Sequence, residues 1–255
     1  MTVSKIGIIQ SRGLGDLIIA LPIADHYRSQ GAEVYWPICE EFHSHVKHTV
    51  PWVRWIPIPT DARGDFFYKE PMARLRNFRV DQVVCLYNSL TGHPEFSLRP
   101  EFQIMSFDQY KYAVAGVPFV NKWRLRDLIT RDPARERALF NQLVNCPQYA
   151  VVHLQGSDHK AEFDATTAIP PEWQTVEIGL QTDCVFDWLT VLERAESIVC
   201  VDSVFANLVD QMGIESDLYF IPRSHIQLTP VLGQDWTILD PGSAVSTRTR
   251  IFAAG

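Results

Sequence analysis

Apolar and polar positions change over in blocks along this chain. Residues 6–10 form a short apolar run that stops at the turn formers Ser11, Gly13 and Gly15. From residue 17 to 27 the spacing becomes helical, and Gly31 ends it. Residues 34–37 read as the next strand. Strand, glycine turn, helix, strand is the opening of a doubly wound α/β domain. Pro22 sits awkwardly in that helix, because a proline lacks the N–H that an interior turn needs. The spacing predicts a helix starting near Asp16 and bending at Pro22.

The alternation continues. Residues 40–48 predict a short helix, followed by an aromatic segment, PWVRWIPIP, to which no element is assigned. Residues 60–70 read as a loop or inserted hairpin, 72–78 as a helix and 80–87 as a strand. A turn-rich loop with Asn88, Ser89, Gly92 and Pro94 follows, then a helix over 107–115 that stops before Gly116 and Pro118. Asp132 and Pro133 make a good helix opening, the aspartate as cap and the proline at the first position. Beyond it come strands at 149–154, 173–178, 197–201, 217–221 and 236–239, with helices at 185–194 and 204–212 and a polar tail. The expected division is a first Rossmann-like domain over 1–130, a linker helix over 131–147 and a second Rossmann-like domain over 148–255.

Composition narrows the classes. With 255 residues, 46% hydrophobic and 21% charged, the chain is long enough for real cores and too apolar to be disordered. Its net charge of −7 is uneven: residues 1–127 hold 15 Lys/Arg against 13 Asp/Glu, the rest 8 against 17. Such a chain is poorly suited to binding polyanions over its whole surface. A local basic cluster, Arg63, Lys69, Arg74, Arg76 and Arg79, reads as a solvated face or as a contact for an anionic partner. The five cysteines are scattered and odd in number, which suggests neither a disulfide framework nor a thiolate zinc site. Cys85 and Cys200 read as small buried hydrophobes. His43, His45 and His48 form an HxHxxH run without a carboxylate at a recognised spacing, so no metal site is assigned. The N-terminus lacks a signal peptide's apolar span and no run of 18 apolar residues follows, so the expected location is the cytoplasm.

Three polar constellations lie where strands end. The first is Arg12-Gly13-Leu14-Gly15-Asp16, whose glycines permit a tight turn and expose N–H groups beside a helix start. Ile18 stands where a dinucleotide fingerprint needs a third glycine. Asp16 is either a helix cap or a carboxylate at the edge where α/β sheets hold ligands, and there it could act as a general base. The second is His153-Leu154-Gln155-Gly156-Ser157-Asp158-His159-Lys160. Gly156 and Ser157 offer donors to a phosphate and Lys160 offers charge; a polar loop with a solvated lysine is the plain alternative. His153 reads as an ordinary packed histidine. The third is Asp202-Ser203, with one of the two capping the following helix and a pyrophosphate placed at its positive end.

In order and spacing these motifs resemble the heptosyltransferase-like glycosyltransferases, which use an ADP-heptose donor in lipopolysaccharide core assembly. IGIIQSRGLGDLIIALPIADHYRSQGAEVYW is similar to the family's opening strand, GLGD signature and proline-containing helix. VVHLQGSDHK and VDSVFANLVDQMG resemble its central glycine–serine loop and nucleotide-sugar segment. The resemblance implies a GT-B architecture: two Rossmann-like domains facing a cleft, the first receiving the acceptor and the second the donor. It implies Asp16 as catalytic base, and Arg12, Gly13 and Gly15 at the acceptor or phosphate. Gly156, Ser157, Lys160, Asp202, Ser203 and Asn207 would hold the donor.

The reaction implied is metal-independent, inverting transfer from a UDP- or ADP-linked sugar, with no tightly bound cofactor. The acceptor expected is a surface glycan or glycolipid. Hydroxymethylated DNA is the alternative acceptor, for which Trp52, Trp55, Phe66, Phe67 and Tyr68 beside the basic cluster would offer stacking. Val204 and Asn207 depart from the family's glycine and histidine, and the tryptophan that follows its lysine is missing. A non-catalytic nucleotide- or glycan-binding protein is therefore the competing reading.

Overall fold

The computed structural model describes residues 4–59, 65–87, 105–156, 160–161, 168–222 and 229–239, and the backbone of 246–248. Arg63, Ser157 and the loop with Asn88, Ser89, Gly92 and Pro94 lie outside these residues. The chain divides into two compact units, Met1–Thr130 and Arg131–Gly255. Both are α/β with largely parallel sheets.

In the first unit, β1 (Lys5–Ile9), α1 (Leu14–Ser29), β2 (Glu33–Cys39), α2 (Glu40–Val46), β3 (Arg54–Ile58), α3 (Lys69–Asn77) and β4 (Gln82–Cys85) build a parallel sheet in the order β3-β2-β1-β4. The connections β1–α1–β2 and β3–α3–β4 run in opposite directions across the sheet. Right-handed crossovers therefore put α1 and α3 on opposite faces. Gly7 makes room for α3, since a Cβ there would lie 2.7 Å from Leu75 Cδ1. Ile9, Tyr35, Ile56, Leu75 and Cys85 fill the same face.

Helix α1 begins at Leu14 and runs unbroken through Pro22, with residues Leu17 to Asp25 all buried. It starts two residues before the predicted position. Helix α4 (Phe107–Ala115) ends at Gly116, whose left-handed φ of 65° only glycine adopts freely. A 3-10 turn (Phe119–Arg124) and α5 (Leu125–Leu128) follow, where the apolar pattern predicts no element. Lys122 of that turn pairs at 2.8 Å with Asp108 of α4, and both side chains are wholly buried.

The aromatic segment also contains an element the pattern did not give, strand β3. Its Pro57 cannot donate to a ladder, which is tolerated because β3 is an edge strand.

The second unit contains α6 (Pro133–Leu143), β5 (Tyr149–His153), β6 (Gln174–Glu177), α7 (Leu189–Glu193), β7 (Ser197–Val201), α8 (Val204–Met212), β8 (Asp217–Ile221), β9 (Trp236–Leu239) and β10 (Ser246–Arg248). The sheet order is β10-β9-β8-β7-β5-β6, parallel except for β10. The polar tail thus supplies a strand that its composition did not announce.

Asp132 caps α6 by accepting from the backbone N–H groups of Ala134 and Arg135, both at 3.1 Å. Helix α6 is tied within this unit. Arg131 reaches Glu193 at 2.7 Å, and Arg135 reaches Asp187 at 2.7 Å. Asp210 of α8 accepts from the N–H of Gly233 at 2.9 Å and from Trp236 Nε1 at 3.0 Å, which fixes the approach to β9.

Candidate active site

Both sheets reverse direction beside their first strand. In the first unit the chain proceeds from β1 to β2 on one side, while β4 lies on the other, so the switch point falls between β1 and β4. Ligands of open α/β sheets bind beyond the carboxyl ends of strands at such a point. The residues gathered there are Gln10, Ser11, Arg12 and Asp16 after β1, Tyr87 after β4 and Lys111 from α4.

Tyr87 organises the turn. Its hydroxyl accepts from the N–H of Ser11 at 3.0 Å and of Arg12 at 3.1 Å, and burial pushes its pKa up to about 12. Gly13 turns the chain with φ +83°. Asp16 is not a helix cap: position 13 is the N-cap and no side chain closes it. Instead Asp16 Oδ1 pairs with Lys111 Nζ at 3.0 Å, with the aspartate side chain 35% exposed and the lysine 6%. Arg12 pairs with Glu41 at 3.3 Å and lies over the Phe66 ring. Gly15 lies within the first turn of α1. Nothing in the sequence marks Lys111, because an isolated lysine 95 positions from Asp16 carries no motif.

The second unit repeats this geometry between β5 and β7. Ser203 occupies the N-cap position of α8, yet its hydroxyl does not cap the helix. Its Oγ lies 2.9 Å from His153 Nδ1, so the histidine is a partner of the site and not merely a packed ring. Burial lowers the His153 pKa to about 4, and its ring meets Phe205 edge-on. Asp202 and Asn207 are buried; Asn207 Nδ2 donates to the Ser203 carbonyl at 2.9 Å. Gly156 is buried, and Lys160 is exposed where the chain folds back in a bridge with Gln155.

The depressed His153 pKa has a consequence for stability. The unfolded chain binds this proton near pH 6.5 and the folded chain near 4, so the contribution is complete above pH 6.5 and is lost as pH falls toward 4. Roughly 3 kcal/mol should disappear over that window. Urea unfolding at pH 7 and pH 4.5 checks it: His153→Phe should show a smaller difference between the two pH values than wild type does.

Several aromatic residues suggested for base stacking are occupied. Trp52 Nε1 donates to the Leu128 carbonyl at 2.9 Å and its ring carries Arg28 at 4.4 Å. Trp55 Nε1 donates to the Val50 carbonyl at 3.0 Å, and Tyr68 packs on the sheet core. Phe67 is exposed and touches Tyr87 edge-on. Within the basic cluster, Arg74 pairs with Glu70 at 2.8 Å. Cys85 and Cys200 are buried and their thiol pKa values are raised by burial, as small buried hydrophobes require. Among the described residues no three His, Cys, Asp or Glu side chains converge as metal ligands, and no helix is long and apolar enough to cross a membrane.

The fold is that of the GT-B-type glycosyltransferases. The chain is similar to a solved glycosyl transferase family 9 structure from Veillonella parvula, with 11% identity, 93% of this chain and 86% of that one covered, and a TM-score of 0.61. E. coli ADP-heptose lps heptosyltransferase II matches with 12% identity, 93% and 90% covered, and a TM-score of 0.55. E. coli heptosyltransferase WaaC with ADP matches with 13% identity, 92% and 93% covered, and a TM-score of 0.53. No family model and no curated protein matches the sequence.

Proposed function

We propose that this protein is a metal-independent, inverting glycosyltransferase that moves a sugar from a nucleoside-diphosphate sugar to a glycan hydroxyl. The observation that carries the reading is the half-exposed Asp16 carboxylate at the switch point of the first sheet, beside a glycine turn. Asp16 takes the proton of the acceptor hydroxyl, the oxygen attacks the anomeric carbon, and the bond from that carbon to the diphosphate oxygen breaks. The nucleoside diphosphate leaves with the bonding pair. Lys160, Ser157 and the N–H groups opening α8 offset its charge, while Gly156, Asp202, Ser203 and Asn207 shape the donor pocket. Neutral His153 holds the Ser203 hydroxyl in one orientation.

An ADP-linked donor and a glycan or glycolipid acceptor are favoured, in keeping with the names of the solved neighbours. The occupied rings of Trp52, Trp55 and Tyr68 weigh against stacking by a modified DNA base.

Incubation with UDP-, ADP- and GDP-sugars tests the reading. One class should bind and be slowly hydrolysed, and silence across the whole panel would overturn it. A second reading, a binding protein without catalysis, is supported by Asn207, whose amide is turned onto its own helix. Donor binding without transfer to any glycan acceptor would favour it.

A further inference from the structure

Lys111 is a buried cation placed behind a surface anion. Its ammonium donates to Gln10 Oε1 at 2.7 Å and to the Leu86 carbonyl at 3.3 Å, and it meets Asp16 Oδ1 at 3.0 Å. The rings of Tyr87 and Phe107 flank it, with centroids 5.9 and 5.8 Å away. Gln10 is itself fixed, because its Nε2 donates to the Arg12 carbonyl at 2.8 Å. Among the described residues Asp16 is the one carboxylate paired with this lysine.

The pair is asymmetric in its exposure. Here the lysine side chain is 6% exposed and the aspartate 35%. The second oxygen, Oδ2, lies above Gly13, only 2.5 Å from where a Cβ would stand. The carboxylate is thus gripped on one oxygen by Lys111 and seated against the bare Cα of Gly13 on the other side.

We propose that Lys111 is the positioning residue for Asp16: it ties Oδ1 inward and, with Gly13 behind Oδ2, fixes the orientation in which the partly exposed carboxylate meets the acceptor hydroxyl. This rests on Asp16 being the general base. Lys111 itself touches neither sugar nor leaving group, so its removal should act on the chemical step and leave donor affinity alone.

The test uses the full chain and whichever UDP-, ADP- or GDP-sugar the wild type hydrolyses fastest, with water as acceptor. Four proteins are compared: wild type, Lys111→Met, Asp16→Asn and the double variant. Lys111→Met should lower kcat by about 100-fold with the donor KM unchanged, as expected for a misplaced catalytic group. In the Asp16→Asn background it should cost nothing further. A kcat that survives Lys111→Met, or an equal loss in both backgrounds, overturns the positioning role. Asp16→Asn with wild-type kcat, or a wild type inert toward the whole panel, instead removes the base, and the lysine's role goes with it. Should Lys111→Met fail to fold, Gln10→Met decides: it removes the anchor of the ammonium, and an unchanged kcat there counts against the proposal as fully.

Discussion

Asp16→Asn should lower the rate of sugar transfer about 100- to 10,000-fold, the range a positioned general base contributes. The same variant should bind the nucleotide sugar with unchanged Kd, because in the proposed division of labour the donor is held by residues 156–160 and 202–207. Calorimetric titration of donor beside a transfer assay separates the two quantities. Equal transfer by variant and wild type would leave the carboxylate without a catalytic role. Asparagine also leaves Lys111 without its anion, so urea unfolding is measured in parallel to keep a folding defect from passing as a chemical one. Residual transfer in a fully folded variant then reports what binding and orientation alone contribute.

The second large effect is on stability. Asp108→Ala should cost about 3–5 kcal/mol, because it takes the carboxylate of a wholly buried ion pair away from the Lys122 ammonium. Lys122 sits among the rings of Phe119 and Trp123, 5.8 and 5.5 Å from their centroids, with no route to water. Asp108 also accepts from the N–H of Gln109 at 2.9 Å and from the Ser106 hydroxyl, so the start of α4 loosens with it. Combining Asp108→Leu with Lys122→Met should recover much of the loss, since apolar groups of similar volume replace a buried pair at little cost. Urea midpoints at constant m-value measure both. A single variant as stable as wild type would show that the charges there are solvated. Since Lys111 lies one turn further along α4, the pair Asp108–Lys122 also steadies the helix that carries it.

What the sequence revealed was local. The order of strand, glycine turn and helix around Arg12 to Asp16 announces itself within a dozen residues, as does the Asp132–Pro133 helix start. Helix α8 and strands β7, β8 and β9 have the predicted limits because their hydrophobic runs are bounded by Gly213 and by polar turns. Strand β3 was hidden by Pro57, which reads as a breaker until the edge position is known. Strand β10 was hidden because a polar segment gains its strand character from pairing with β9.

The candidate site was legible to the same degree. Asp16, Gly13, Asp202 and Ser203 stand at strand ends that the pattern located. Their partners were not: Lys111 carries no motif, and His153, which opens the second constellation, reads as a packed ring until the fold brings it to Ser203.

Gly13 combines a backbone angle closed to most side chains with a space already taken by the Asp16 carboxylate. The two positions are therefore not free to drift independently through mutation. A side chain gained at 13 must evict the carboxylate at 16, whereas losing the carboxylate lifts half of the constraint on 13. A descendant under no need for that carboxylate should accumulate changes at 16 first, and only afterwards tolerate anything but hydrogen at 13.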